Sequence, residues 1–151
     1  MQQEEEKELL LKDLYARLPY GVICYWRNGS ELTLNLTEYN GHLTCINKVN
    51  EYYYCHFNVC NNSNNKRIQN KDVPVEIVMP YLRPLSSMTE EEEKEYINID
   101  NRSYSCPINY AHIPASERID WLIANHFDYR GLIPRGLALE APDGMYNLNE
   151  K

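Results

Sequence analysis

At 151 residues, 43% hydrophobic and 25% charged, the chain falls within the range of one ordinary globular domain able to bury a real core. Its formal charge of −7 opposes non-specific attraction to nucleic acid, because phosphate binding rests on lysine and arginine releasing counterions. No stretch approaches the run of about 20 apolar residues that spans a bilayer. The opening Met1-Gln2-Gln3-Glu4-Glu5-Glu6 is acidic where a secretory signal is basic and then apolar, so a cytosolic location is expected and the five cysteines are expected to be mainly reduced thiols. Thirteen tyrosines against two phenylalanines favour half-buried surfaces and interfaces, since each ring carries a polar tip that must find water or a partner.

Leu10, Leu11, Leu14 and Leu18 recur at helical spacing, and Pro19-Tyr20-Gly21 ends the pattern, which predicts an amphipathic helix over 4–18 with Glu4 to Glu6 at the positive end of its dipole. Val22 to Trp26 reads as a strand and Asn28-Gly29 as a hairpin turn. Glu31 to Thr37 alternates without fault and predicts a second strand with Leu32, Leu34 and Leu36 on one face. Asn40-Gly41 reads as another turn, followed by strands from His42 to Val49 and from Tyr52 to Val59. The polar stretch from Asn61 to Asp72 predicts a mobile loop, and Val75 to Met79 a fifth strand.

Pro80-Tyr81-Leu82-Arg83-Pro84 reads as the exit from the sheet. Ser87 with Glu90, and Thr89 with Glu92, form overlapping capping boxes that start a second helix, expected to end near Tyr96. Residues 98–114 lack periodicity and predict an irregular cover. Ser116 then caps a third helix with Ile119, Leu122, Ile123 and Phe127 on one stripe, closed by Gly131 in the left-handed conformation, and 132–141 forms a short turn or strand. The expected architecture is a single α+β domain over 1–151. It has a helix over 4–18, a small five-stranded antiparallel barrel or curved sheet, SH3-like or OB-like, over 22–79, and two further helices with a C-terminal tail over 87–146.

Three blocks are specific enough to compare: Leu10 to Val22, Pro80-Tyr81-Leu82-Arg83-Pro84 with Ser86-Ser87-Met88-Thr89-Glu90-Glu91-Glu92, and Ile119-Asp120-Trp121-Leu122 through His126-Phe127-Asp128-Tyr129-Arg130-Gly131-Leu132-Ile133 to Gly136-Leu137-Ala138-Leu139-Glu140-Ala141-Pro142. In these, roughly half the chain, the sequence resembles a group of small proteins carried by phages and mobile elements of gut anaerobic bacteria. The resemblance implies a setting in bacterial cytoplasm. It implies no activity and transfers no site residue.

Four constellations bear on function. His42, Cys45, Cys55, His56 and Cys60 include zinc-type ligands, but alternation along a strand throws Cys55 away from His56 and Cys60, so no metal is expected. Cys106 with His112, or a cysteine with His126 and Asp128, supplies the residue types of a thiol hydrolase without any recognisable motif, and no enzymatic activity or cofactor is expected. Tyr52, Tyr53, Tyr54 and Phe57 beside Lys66, Arg67 and Lys71 have the chemistry of a base-stacking platform, which the overall charge opposes. The richest cluster is C-terminal: Tyr81, Arg83, His126, Asp128, Tyr129 and Arg130 are the candidate partner- or ligand-binding residues, the alternative being a brace that holds the tail on the sheet. The expected function is non-enzymatic binding of a host protein as inhibitor or adaptor. The alternatives are sequestration of a nucleotide signal of antiviral defence by Arg83, Arg130 and nearby aromatics, or a virion or assembly component.

Overall fold

The computed structural model describes residues 2–28, 37–60, 67–105 and 113–146. The first helix, α1, spans Gln2–Arg17 and buries Leu10, Asp13, Leu14 and Arg17, which recur at i, i+3, i+4 and i+7 along one stripe, with Leu11 beside them. It ends in a tight turn over Leu18–Tyr20 and Gly21, whose φ of 66° is open to glycine at little cost.

Six strands follow: β1 (Ile23–Asn28), β2 (Thr37–Val49), β3 (Tyr52–Cys60), β4 (Arg67–Pro74), β5 (Met79–Leu82) and β6 (Leu139–Glu140). They form one sheet in the order β4-β3-β2-β1-β5-β6, antiparallel except for the parallel pair β5/β6. The protein is therefore α+β, but its sheet is open, mixed and six-stranded, and the expected antiparallel barrel does not form. The reason lies at the two edges: β4 ends one side and the short parallel β6 the other, so the edges never meet.

Several local expectations are corrected. Asn40-Gly41 does not turn; both residues lie inside β2, and glycine is needed there because a Cβ on Gly41 would stand 2.9 Å from the Asn58 carbonyl oxygen and 3.2 Å from the Trp26 ring. Residues 67–72, read as loop, belong to β4, which pairs with β3 from Cys60↔Arg67 to Tyr54↔Pro74. Val75–Ile77 is a helical turn, and the strand begins at Met79 instead. The expected strand over 31–37 and the Asn28-Gly29 turn lie outside the described residues apart from Asn28 and Thr37, as does the remainder of the loop, 61–66.

Pro80 sits inside β5, not beyond it. Leu43 N–H donates to the Val22 carbonyl at 3.0 Å, so Val22, and Cys24 two residues on, face β2. Pro80, opposite Cys24, therefore occupies a non-hydrogen-bonded position of the β1/β5 pair, where its missing N–H costs that ladder nothing.

The second helix, α2 (Glu90–Ser105), starts with the expected Thr89/Glu92 box: Thr89 N–H donates to Glu92 Oε1 at 3.0 Å and Glu92 N–H to Thr89 Oγ1 at 3.2 Å. Ser87 takes no part; its hydroxyl donates to the Pro84 carbonyl. The helix continues to Ser105 instead of ending near Tyr96, supported by α3 (Ile113–Ala124), against which Tyr96 meets Trp121 at 5.7 Å. Ser116 lies within α3, so the helix starts three residues before the expected cap, with Pro114 in its first turn where a missing N–H is harmless. Cys106 and His112 lie outside the described residues.

Along β1, β2, β3 and β5 the side chains separate cleanly. Cys24, Trp26, Leu43, Cys55, Phe57 and Leu82 are buried with Leu10, Leu11 and Leu14 of α1, and Trp26 stacks on Phe57 at 4.1 Å. On the other face none of the residues Ile23, Tyr25, Arg27, Asn40, His42, Cys45, Asn47, Val49, Tyr52, Tyr54, His56, Asn58, Met79 or Tyr81 is buried. One face is core and the other meets solvent.

Candidate functional site

Five of the six candidate residues lie where the chain returns from α3 onto the end of β5; the sixth, Tyr81, turns its side chain to the outer sheet face, toward Tyr25 and Asn40. α3 ends in a Schellman motif: Phe127 N–H reaches the Leu122 carbonyl at 2.9 Å, His126 N–H the Ile123 carbonyl at 3.0 Å, and His126 occupies the left-handed position with φ 65°. That role was expected of Gly131, which is also left-handed, at φ 74°, but sits in the next loop. From there residues 126–128 run beside Arg83. Arg83 N–H donates to the His126 carbonyl at 2.7 Å and Asp128 N–H to the Arg83 carbonyl at 2.8 Å, a parallel bridge in register with Phe127.

Each candidate side chain finds a partner within the molecule. Arg83 makes a bidentate pair with Glu92, at 2.8 and 2.6 Å, and its guanidinium lies 4.2 Å from the Phe127 ring centroid. Burial raises the Glu92 pKa, but Arg83 and Thr89 outweigh it and hold the carboxyl below its ordinary value. Asp128 is buried and accepts the N–H groups of Leu132 and Ile133 at 2.8 and 2.9 Å, which shapes the turn leading to β6. Arg130 stacks on Tyr129 at 4.6 Å and reaches Asp13 Oδ1 at 3.3 Å, close enough for ion pairing but not aligned as a hydrogen bond. Burial raises the Tyr129 pKa, partly offset by Arg130. Tyr81 donates to Asn40 Oδ1 at 3.1 Å and meets Tyr25 edge-on.

Beneath these lies a pair that the sequence reading passed over. Asp13 and Arg17 are fully buried, with Arg17 Nε donating to Asp13 Oδ2 at 2.7 Å and Nη2 to the Phe127 carbonyl. The signal was present: an acid and a base four apart, on the same helical stripe as Leu10 and Leu14.

Tyr146 closes the arrangement. Ile23 and Tyr81 stand opposite each other one step beyond the last β1/β5 pair, where the ladder calls for a direct bond. Instead the Tyr146 hydroxyl sits between the strands, accepting from Ile23 N–H at 2.9 Å and donating to the Tyr81 carbonyl at 2.8 Å, while its ring stacks on His126 at 3.7 Å. Burial pushes its pKa up. Tyr146→Phe is expected to destabilise the protein by about 1–3 kcal/mol, because it leaves a half-buried N–H and C=O without their partner, and urea unfolding midpoints will show the loss. A change under about 0.5 kcal/mol would mean that water replaces the hydroxyl.

Through Arg83, Asp128 and Arg130 the cluster ties the C-terminal segment to α2, the following turn and α1, as a brace would. The outer sheet face offers different chemistry: Tyr52 and Val49, exposed at 61% and 52%, mark the tip of the β2/β3 hairpin, with Tyr54, Asn47, His56, Asn58, His42, Asn40 and Tyr25 across the strands. The tyrosine run is split by alternation, Tyr52 and Tyr54 facing out, Tyr53 and Phe57 in, so it forms no continuous stacking platform. Register likewise puts His42, Cys45 and His56 outside and Cys55 inside, and among the described residues no three such groups lie close enough to hold a metal ion. Burial raises the Cys55 thiol to about 12 and Cys24 well above its ordinary value, which leaves both as unreactive core groups. Among the described residues no helix is long and apolar enough to cross a membrane.

Set against protein-family models, curated proteins and solved structures, the chain matches none.

Proposed function

We propose that this chain is a non-enzymatic binding protein that engages a host protein, as inhibitor or adaptor, on behalf of a phage or mobile element in bacterial cytoplasm, and that the outer sheet face is its recognition surface. The observation that carries this reading is the composition of that face. Tyrosine and asparagine, with two histidines and a few apolar side chains, make up most of it, the mixture that protein-binding loops use because tyrosine gives rigid contact area and asparagine adaptable hydrogen bonds. Tyr52 beside Val49 supplies the apolar anchor. The phage setting draws on the resemblance of the three sequence blocks. Holding a nucleotide with Arg83 and Arg130 is disfavoured, since it would require breaking Arg83 from Glu92 and Arg130 from Asp13.

The test is affinity capture from bacterial lysate with the wild-type chain and with a Tyr52→Ala/Tyr54→Ala variant, reading bound proteins and bound nucleotides. A protein captured by wild type and weakened at least about tenfold by the substitutions, at unchanged melting temperature, is the expected result. Capture unaffected by the variant would move the surface elsewhere, and recovery of a nucleotide alone would overturn the reading.

A further inference from the structure

The outer sheet face differs from the rest of the chain in charge. The sequence is 25% charged with a formal −7, and its acids gather at Glu4 to Glu6 and Glu90 to Glu93. Along β3, β2, β1 and β5 the outward positions are almost without charge. Apart from His42 and His56, formal charge enters only at one corner, where Arg27 stands opposite Glu38 in the β1/β2 register. Lys48, the one lysine of β2, lies over the Tyr53 ring on the core-facing side of the hairpin. Two copies of so acidic a chain repel each other, and this face is where they can meet without like charges opposed.

A two-fold axis sets a further condition, since it brings the same patch against itself and each group must tolerate its own kind. Carboxylates and ammonium groups fail that condition. Tyrosine hydroxyls and asparagine amides both donate and accept, so they can pair with their own copies. Asn40, Asn47, Asn58, Tyr52 and Tyr54 supply such groups, all exposed or half-buried, and Val49 beside Tyr52 adds apolar contact at the hairpin tip. In plan the four strands offer roughly 400 Å², from ~4.8 Å between strands and ~3.3 Å per residue, and side-chain relief brings the accessible area to the ~500 Å² per partner where specific interfaces begin. We propose, resting on the reading of this face as a recognition surface, that in the free protein a second copy of the chain covers it, packed face to face about a two-fold axis, and that a host protein gains the face by displacing that copy.

The experiment is sedimentation equilibrium of the full chain. A reversible dimer with a dissociation constant on the order of 1–100 µM is expected. Both copies are acidic and no ion pair joins them, so raising salt from about 0.05 to about 0.3 M is expected to tighten the dimer severalfold, the opposite of an interface held by unlike charges. Tyr54 stands opposite Asn47 in the middle of the β2/β3 part of the face. Tyr54→Glu and Tyr54→Lys are each expected to weaken the dimer at least about tenfold, and an equimolar mixture of the two to recover it, as contact between copies at that face requires. Melting curves check that both variants fold; His42→Glu and His42→Lys, at an exposed position of β2, replace them if either does not. A chain still monomeric at about 1 mM, a dimer weakened by salt, a dimer that neither charged variant weakens, or a mixture no tighter than its components would each overturn the proposal. Any of these leaves host capture through Tyr52 and Tyr54 intact, whereas a dimer that captures no protein from lysate overturns the host reading and keeps the second copy.

Discussion

Replacing Asp13 with alanine is expected to cost about 3–5 kcal/mol, because it leaves a guanidinium buried without its counter-charge. Arg17 has no exposed surface, and its Nη1 already lacks a hydrogen-bond partner. Without Asp13 its remaining bond is to the Phe127 carbonyl, and Arg130 loses its ion pair at the same time. A carbonyl dipole cannot replace a carboxylate, so Arg17 must either force its way to water, breaking the packing of α1 on the sheet, or remain charged in an apolar setting. Urea unfolding measures the loss directly. A cost below about 1 kcal/mol would show that the guanidinium is hydrated, not sealed.

Removing both charges is a different experiment. Asp13→Leu with Arg17→Met keeps volume and eliminates the desolvation penalty, and such replacements are commonly neutral or stabilising, by up to about 4 kcal/mol. The double variant is therefore expected to recover most of what the single one loses. What it gives up is direction: Arg17 is the group on α1 that reaches across to the Phe127 carbonyl and fixes where the chain re-enters after α3. Amide hydrogen exchange over 126–141 is expected to quicken in the double variant even where global stability is restored.

The same pair shows where sequence reading stops. The leucines of α1, the strand β1, the aromatic strand β3 and the Thr89/Glu92 cap were legible because local periodicity and capping chemistry decide them. Asn40-Gly41 has the composition of a turn, and only the approach of Trp26 and Asn58 across the sheet makes it a strand position. β4 is mainly polar, with only Ile68 and Val73 apolar ahead of Pro74, yet pairs through its backbone with β3, so its composition gave little apolar signal to follow. β6 is two residues long and exists because β5 offers an edge beside it, a relation between residues almost sixty positions apart. Of the candidate residues, His126, Asp128, Tyr129 and Arg130 were read from the sequence as surrounding the end of the last helix; Arg83 joins them through its bridge to Phe127, whereas Tyr81 faces Asn40 and Tyr25 on the outer face. Most of the cluster's partners were not visible, since Glu92, Asp13 and Tyr146 are brought there by tertiary structure, and only the bonds from Leu132 and Ile133 N–H to Asp128 are local.

His126 gives the brace a pH dependence with a definite sign. Its ring is buried, stacks on Tyr146, and lies near the Arg17 and Arg83 cations, with no partner at Nδ1. Burial first, then Arg17 and Arg83, push its pKa from 6.5 down to about 4. The unfolded chain therefore binds a proton in the interval between those values while the folded chain does not, so stability is complete above pH 6.5 and falls as the pH drops toward 4. The full displacement corresponds to about 3 kcal/mol. Urea midpoints taken between about pH 7.5 and 4.5 should decline accordingly, with the carboxylates contributing mainly at the acid end. His126→Asn separates the two contributions: asparagine tolerates the left-handed backbone but neither titrates nor stacks as imidazole does. That variant is expected to start from a lower stability at neutral pH and to show a flatter profile down to about pH 5, where glutamates and aspartates begin to protonate. A wild-type profile that is already flat over that interval, or an Asn variant with an unchanged slope, would mean that His126 is protonated in the folded protein and that the stacked Tyr146 strap opens to let it charge.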